Sequence, residues 1–125
     1  METKKGSCHC GSVKFEVYLD NGLEDLRRYN CSLCRRKGAI MGSVLIERLK
    51  VTQGEEYLTI YQWNTRTAKR YFCQICGIYT HHQRRSNPAF YGYNVACIEG
   101  INLFDLSDVA TANGSAQSLI DENKT

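Results

Sequence analysis

Residues 72–77 read FCQICG and residues 6–11 read GSCHCG, two short cysteine pairs far apart in the chain, each followed at once by glycine. A structural zinc takes four ligands in a tetrahedron, with thiolate sulfurs about 2.3 Å from the metal. Two pairs on tight turns supply that arrangement, because the amides of each turn point inward toward the sulfurs. Gly11 and Gly77 put a permissive residue where the chain has to curl away from the metal. Cys8, Cys10, Cys73 and Cys76 are therefore expected to close one structural zinc site. The plainer reading, cysteines as small buried apolar side chains, does not account for spaced pairs that end in glycine.

The chain has seven cysteines in 125 residues, and the other three are Cys31, Cys34 and Cys97. METKKGSCHCGS at the start has no apolar stretch of secretory-signal length, so a reducing, cytoplasmic setting is expected, where such patterns mean metal or catalysis more often than disulfides. The longest apolar run, AIMGSVLI at 39–46, is far short of a membrane span. A hydrophobic share of 42% with 23% charged residues fits one compact domain over 1–125. Its core is expected over about 6–106, with 107–125 a weakly packed tail.

The net charge of +3 is gathered into short basic clusters at Arg27–Arg28, Arg35–Lys37, Lys69–Arg70 and Arg84–Arg85. Guanidinium forks match carboxylates, so these clusters suit a small anionic ligand. Nucleic acid is the weaker option, because aromatic residues do not interleave with the cations and the net charge is small.

VKFEVYL at 13–19 alternates apolar and polar residues and reads as a half-buried strand leaving the first cysteine turn. Residues 39–47 read as a central strand, with Gly42 at a bulge or close contact. EYLTIYQW and TAKRYF form a hairpin whose second strand feeds FCQICG. IYTHHQ and AFYGYNVACI add two more strands. A helical period appears only at GLEDLRR, so the expected class is mainly β.

Taken in order, GSCHCGSVKFEV at 6–17, CSLCRRKGA at 31–39, YFCQICG at 71–77 and YNVACIEG at 93–100 resemble the glutathione-dependent formaldehyde-activating enzyme family, which also includes centromere protein V. The resemblance implies an Mss4-like fold, a zinc-tied β-sheet assembly, with a structural zinc on Cys8, Cys10, Cys73 and Cys76. It implies a second, catalytic zinc on a C-x-C-x-x-C motif, which here falls on Tyr29, Cys31 and Cys34. Tyrosine stands where the family has its first ligand. Zinc sites are made chiefly of Cys, His and carboxylates, so a replacement ligand would come from Cys97, His81, His82 or His9.

The activity implied is that of a carbon–sulfur lyase on glutathione adducts such as S-(hydroxymethyl)glutathione or a related small thiol compound. Cys31 and Cys34 would be catalytic, and Arg35 and Arg36 would hold the glutathione carboxylates. Two other readings compete. One is a non-enzymatic zinc- or ligand-binding module with a degenerate second site. The other makes Cys31 and Cys34 a redox pair, their thiol pKa lowered by Arg35, Arg36 and Lys37.

Overall fold

The computed structural model describes residues 2–20, 22–23, 26–29, 32–62, 69–84, 87–106 and 109–112. In chain order the strands are β1 (Glu2–Ser7), β2 (Lys14–Leu19), β3 (Arg27–Tyr29), β4 (Met41–Leu45), β5 (Leu49–Gln53), β6 (Leu58–Tyr61), β7 (Lys69–Cys73), β8 (Tyr79–Gln83), β9 (Phe90–Asn94) and β10 (Ala110–Ala112). One short helix, α1 (Ser32–Lys37), lies between β3 and β4. The mainly β class is as expected.

The strands form two sheets, β1-β2-β5 and β10-β3-β4-β9-β8-β7-β6. Neighbours are antiparallel except β10, which runs parallel to β3. The alternation read in VKFEVYL is realised on β2, where Phe15, Val17 and Leu19 are buried. They meet Val44 and Tyr93 of the larger sheet, together with Ile40, Leu49, Val95 and Ile98. Each such side chain taken out of water contributes roughly 1.5–3 kcal/mol, so this inter-sheet layer is the main apolar contribution to stability. Gly42 is the close contact anticipated, since a Cβ there would lie 2.3 Å from the Tyr93 ring.

Four features differ from the sequence reading. GLEDLRR does not become a helix over its described end, because Arg27–Tyr29 pair with β4 on one side and β10 on the other. The helix forms instead at SLCRRK, with Gly38 in the left-handed region at φ 66° and its amide donating to the Cys34 carbonyl at 3.0 Å. Strands β1 and β5 arise where no alternation stood out. Order also extends past residue 106, since Val109 packs on the core and β10 adds a strand within the segment expected to be a weakly packed tail. Residues 113–125 lie outside the described part.

His81 on β8 sits inside this core, 2% exposed, stacked 4.4 Å from the Tyr71 ring and edge-on to Tyr91. Its Nδ1 pairs with the Thr80 hydroxyl at 2.9 Å. Burial lowers its pKa from 6.5 to about 4, so the folded protein keeps it neutral. That preference stabilises the fold above pH 6.5 and is lost as pH falls toward 4, because the unfolded chain takes up the proton first. Urea melts near pH 7 and near pH 5 should show wild type losing about 2 kcal/mol more than His81→Gln. Equal losses in the two proteins would remove His81 as the cause.

Candidate metal centre and adjoining cleft

The first cysteine turn connects β1 to β2. The Cys8 amide donates to the Val13 carbonyl at 3.0 Å, and Gly11 turns the chain at φ 81°. The second leaves the end of β7, with the Gly77 amide donating to the Cys73 carbonyl at 2.8 Å and Gly77 at φ 79°. Both glycines occupy the left-handed backbone region that the two motifs called for. The turns face each other and bring the sulfurs of Cys8, Cys10, Cys73 and Cys76 within 4.8 Å of one another.

Cys8 and Cys10 Sγ are 3.7 Å apart, and Cys10 and Cys73 Sγ are 3.8 Å apart. A tetrahedron with metal–sulfur bonds of about 2.3 Å has edges of about 3.8 Å. The donor set and its spacing therefore fit a tetrahedral thiophilic metal, and these four cysteines can hold one.

Backbone amides support the sulfurs. Val13 N–H donates to Cys8 Sγ at 3.3 Å. The Ser12 hydroxyl, 3.3 Å from Cys10 Sγ, and then the Ser12 amide lower the Cys10 pKa. Burial acts to raise Cys76, yet the amides of Cys10 and Ile78 draw it down to about 6. At Cys73 burial wins and pushes the thiol up to about 11 against the amides of Cys76 and Ile75. Amide hydrogen bonds favour the thiolate, which is the metal-binding form.

A cleft of about 490 Å³ opens beside this centre. Leu33 and Lys37, four residues apart on one face of α1, form one wall; Gly77, Ile78 and Tyr79, just past the second turn, form another. Lys37 Nζ stands 3.4 Å from the centroid of the Tyr79 ring, within cation–π range. The Tyr79 hydroxyl is hydrogen-bonded to His82 Nδ1, and its carbonyl accepts from Asn94 Nδ2 at 2.8 Å. The His82 ring lies against Gly92, where a Cβ would come within 2.4 Å of it. Burial, then Arg70 and Lys37, hold the His82 pKa well below the usual histidine value.

None of the other expected site residues that are described is among those lining this cleft. Tyr29 ends β3 with its ring edge-on to His82 at 6.0 Å. Cys34 is half-buried on α1, while Cys31 lies outside the described residues. Arg35 and Arg36 are exposed on the same helix, and His9 is exposed in the first turn. Cys97 is buried, with its thiol 3.6 Å from the Tyr79 carbonyl; burial pushes its pKa up to about 12. Cys34, Cys97, His81 and His82 do not join a metal-capable group among the described residues. Sequence reasoning did not place Lys37 and Tyr79 together at a cleft. The spacing of Leu33 and Lys37 would have shown it only once the helix was known.

Two sheets clasped by a four-cysteine centre define a cysteine-tied β domain. The family model for "Glutathione-dependent formaldehyde-activating enzyme" matches residues 3–109. The chain belongs to that family. A Halomonas elongata protein, provisionally named as such an enzyme, is 35% identical over 58% of this chain and 50% of its own length. An Emericella nidulans protein with the same provisional name is 30% identical over 74% of this chain and 48% of its own. The chain thus spans about half the length of these curated relatives. A Rhodobacter sphaeroides protein of known crystal structure superposes with a TM-score of 0.83 at 57% identity, covering 86% of this chain and 99% of that one.

Proposed function

We propose that this chain is a single-domain, zinc-dependent carbon–sulfur lyase-like protein of the cytoplasm, acting on a glutathione adduct such as S-(hydroxymethyl)glutathione or a related small thiol compound. The observation that carries this reading is the cleft between the helix of the second cysteine motif and Gly77, Ile78 and Tyr79, the segment that leaves the four-cysteine centre. Cys8, Cys10, Cys73 and Cys76 would hold a zinc, and the bound metal would fix the turn that leads into one wall.

In the synthetic direction glutathione gives up its thiol proton, the thiolate attacks the carbon of formaldehyde, and the former carbonyl oxygen takes up a proton. The lyase direction breaks the same carbon–sulfur bond. Lys37 favours thiolate at the cleft and attracts a carboxylate, while Arg35 and Arg36 on the outer side of α1 form a cationic rim. Tyr79, its hydroxyl hydrogen-bonded to the buried His82, lines the cleft and carries Lys37 over its ring. Cys34, with Cys31, marks the reaction centre. Cys34 joins no metal-capable group of His, Cys, Asp or Glu side chains among the described residues.

The test is exchange between formaldehyde hydrate and S-(hydroxymethyl)glutathione, followed by magnetisation-transfer NMR on the zinc-loaded protein. Exchange faster than the uncatalysed rate, lost in Cys34→Ser, is the expected result. Lys37→Met should weaken glutathione binding roughly tenfold, in line with loss of one charged hydrogen bond. No acceleration by the loaded protein would end the lyase reading.

Tyrosine at position 29 favours a second reading, a ligand-binding module without chemistry. One zinc per chain, with glutathione binding but no accelerated exchange, is its signature. Two zincs per chain return weight to the enzyme. For a Cys31/Cys34 redox pair, the count of accessible thiols would change between oxidising and reducing conditions.

A further inference from the structure

A second cavity lies on the opposite face of the larger sheet. Alternation along β7 and β8 sends Arg70 and His82 to one side and their neighbours Tyr71 and His81 to the other. On that other side a cavity of about 200 Å³ is lined by the rings of Tyr71, His81 and Tyr91, with Val51, Leu58 and Ile60 completing an apolar wall. At about 30 Å³ per water molecule this is room for roughly six waters, enough for a small organic group. Its mouth is open to solvent, since Ile60 is 50% exposed and Glu55 is exposed.

The rings meet at a corner. Tyr71 and His81 are stacked at 6° between planes, and Tyr91 stands at 85° to the first and 80° to the second. Glu55 is the one ionised side chain among the described lining residues. Aromatic surface attracts a cation through its quadrupole, and a carboxylate at the rim adds attraction of the same sign. An anion would meet Glu55 with no compensating cation. A neutral hydrocarbon would leave that carboxylate unused.

We propose that this cavity binds a small organic cation of the alkylammonium class, with the ammonium group in the aromatic corner and Glu55 at its open side. His81 supports this placement, because burial keeps the imidazole neutral at physiological pH, so it presents ring surface and no repelling charge. The site is separated from the glutathione cleft by the thickness of the sheet. It stands whether or not the lyase reading holds.

The experiment is titration of the intact, zinc-loaded chain with choline and with 3,3-dimethylbutan-1-ol, its uncharged counterpart of the same shape, followed by calorimetry and by the His81 and Tyr71 ring signals in NMR. Choline should bind roughly threefold or more tighter than the alcohol and shift both rings. Glu55→Gln, a change at an exposed position, should remove most of that preference while the protein stays folded. Equal affinity for the two probes would show an apolar void and overturn the proposal. So would no saturable binding of choline, or binding that leaves the two rings unshifted or is unchanged in Glu55→Gln.

Discussion

Stripping the metal from the loaded protein with a strong chelator is expected to unfold it, and Cys73→Ser is expected to do the same without a chelator. Structural zinc contributes apparent folding energy of roughly 10–16 kcal/mol in small peptides, against a net domain stability of about 5–15 kcal/mol. The four cysteines hold together turns from two different sheets, Cys8 and Cys10 between β1 and β2 and Cys73 at the end of β7. Among the described residues the apolar cluster there is small, with Val13 buried beside Cys8 and Cys73 and Val51, Leu58 and Cys76 partly buried against them. Losing the metal therefore removes the clasp and leaves sulfurs crowded at 3.7 and 3.8 Å.

The contrast is with Cys97→Ser. That thiol lies in the main core, outside the four-sulfur group, and its loss should cost about 1–3 kcal/mol with metal content unchanged. Circular dichroism melts with metal analysis on the same samples check both. A chelated protein that kept its native spectrum and melting point would sink the assignment of the clasp.

The parts of this fold that sequence made legible carry their signal in local chemistry. β2 was readable because Phe15, Val17 and Leu19 alternate, and the metal centre because spaced cysteines followed by glycine have few other uses. β1 was not, because ETKKGS has no apolar face. It is held by backbone pairing to β2 at a sheet edge, where exposed lysines are the ordinary composition, and Gly6 supplies only the space for the Phe15 ring. GLEDLRR misled over its described end because a local helical period is weaker than two neighbouring strands that need a partner at Arg27–Tyr29. The cleft depends on α1, whose six residues are too few to show a period of 3.6. Lys37 could be assigned to a basic cluster from sequence, but its ring contact with Tyr79 joins segments that only the tertiary fold brings together.

Gly54→Ala is expected to damage both stability and metal affinity, although Gly54 is not a ligand. It has φ 79°, so any side chain costs about 1–2 kcal/mol there. A Cβ would also lie 1.9 Å from the Ser12 carbonyl oxygen and 2.8 Å from its carbon, and backbone cannot swing aside as a side-chain tip can. Overpacking of this kind adds roughly 1–3 kcal/mol. Relief requires shifting Ser12, and the amides of Ser12 and Val13 are those that serve Cys10 and Cys8. Groups that orient metal ligands typically cost about 10–100-fold in affinity when disturbed.

Gly11→Ala separates the two effects. Gly11 has φ 81° but nothing within 4 Å of its would-be Cβ, so only the backbone penalty applies. Gly54→Ala should therefore melt well below Gly11→Ala, by about 3–8 °C for each further kcal/mol lost, and should yield its zinc to a competing chromophoric chelator at least about tenfold more readily. If the two variants melted together and held zinc equally, the packing of Gly54 on Ser12 would have no part in shaping the metal turn.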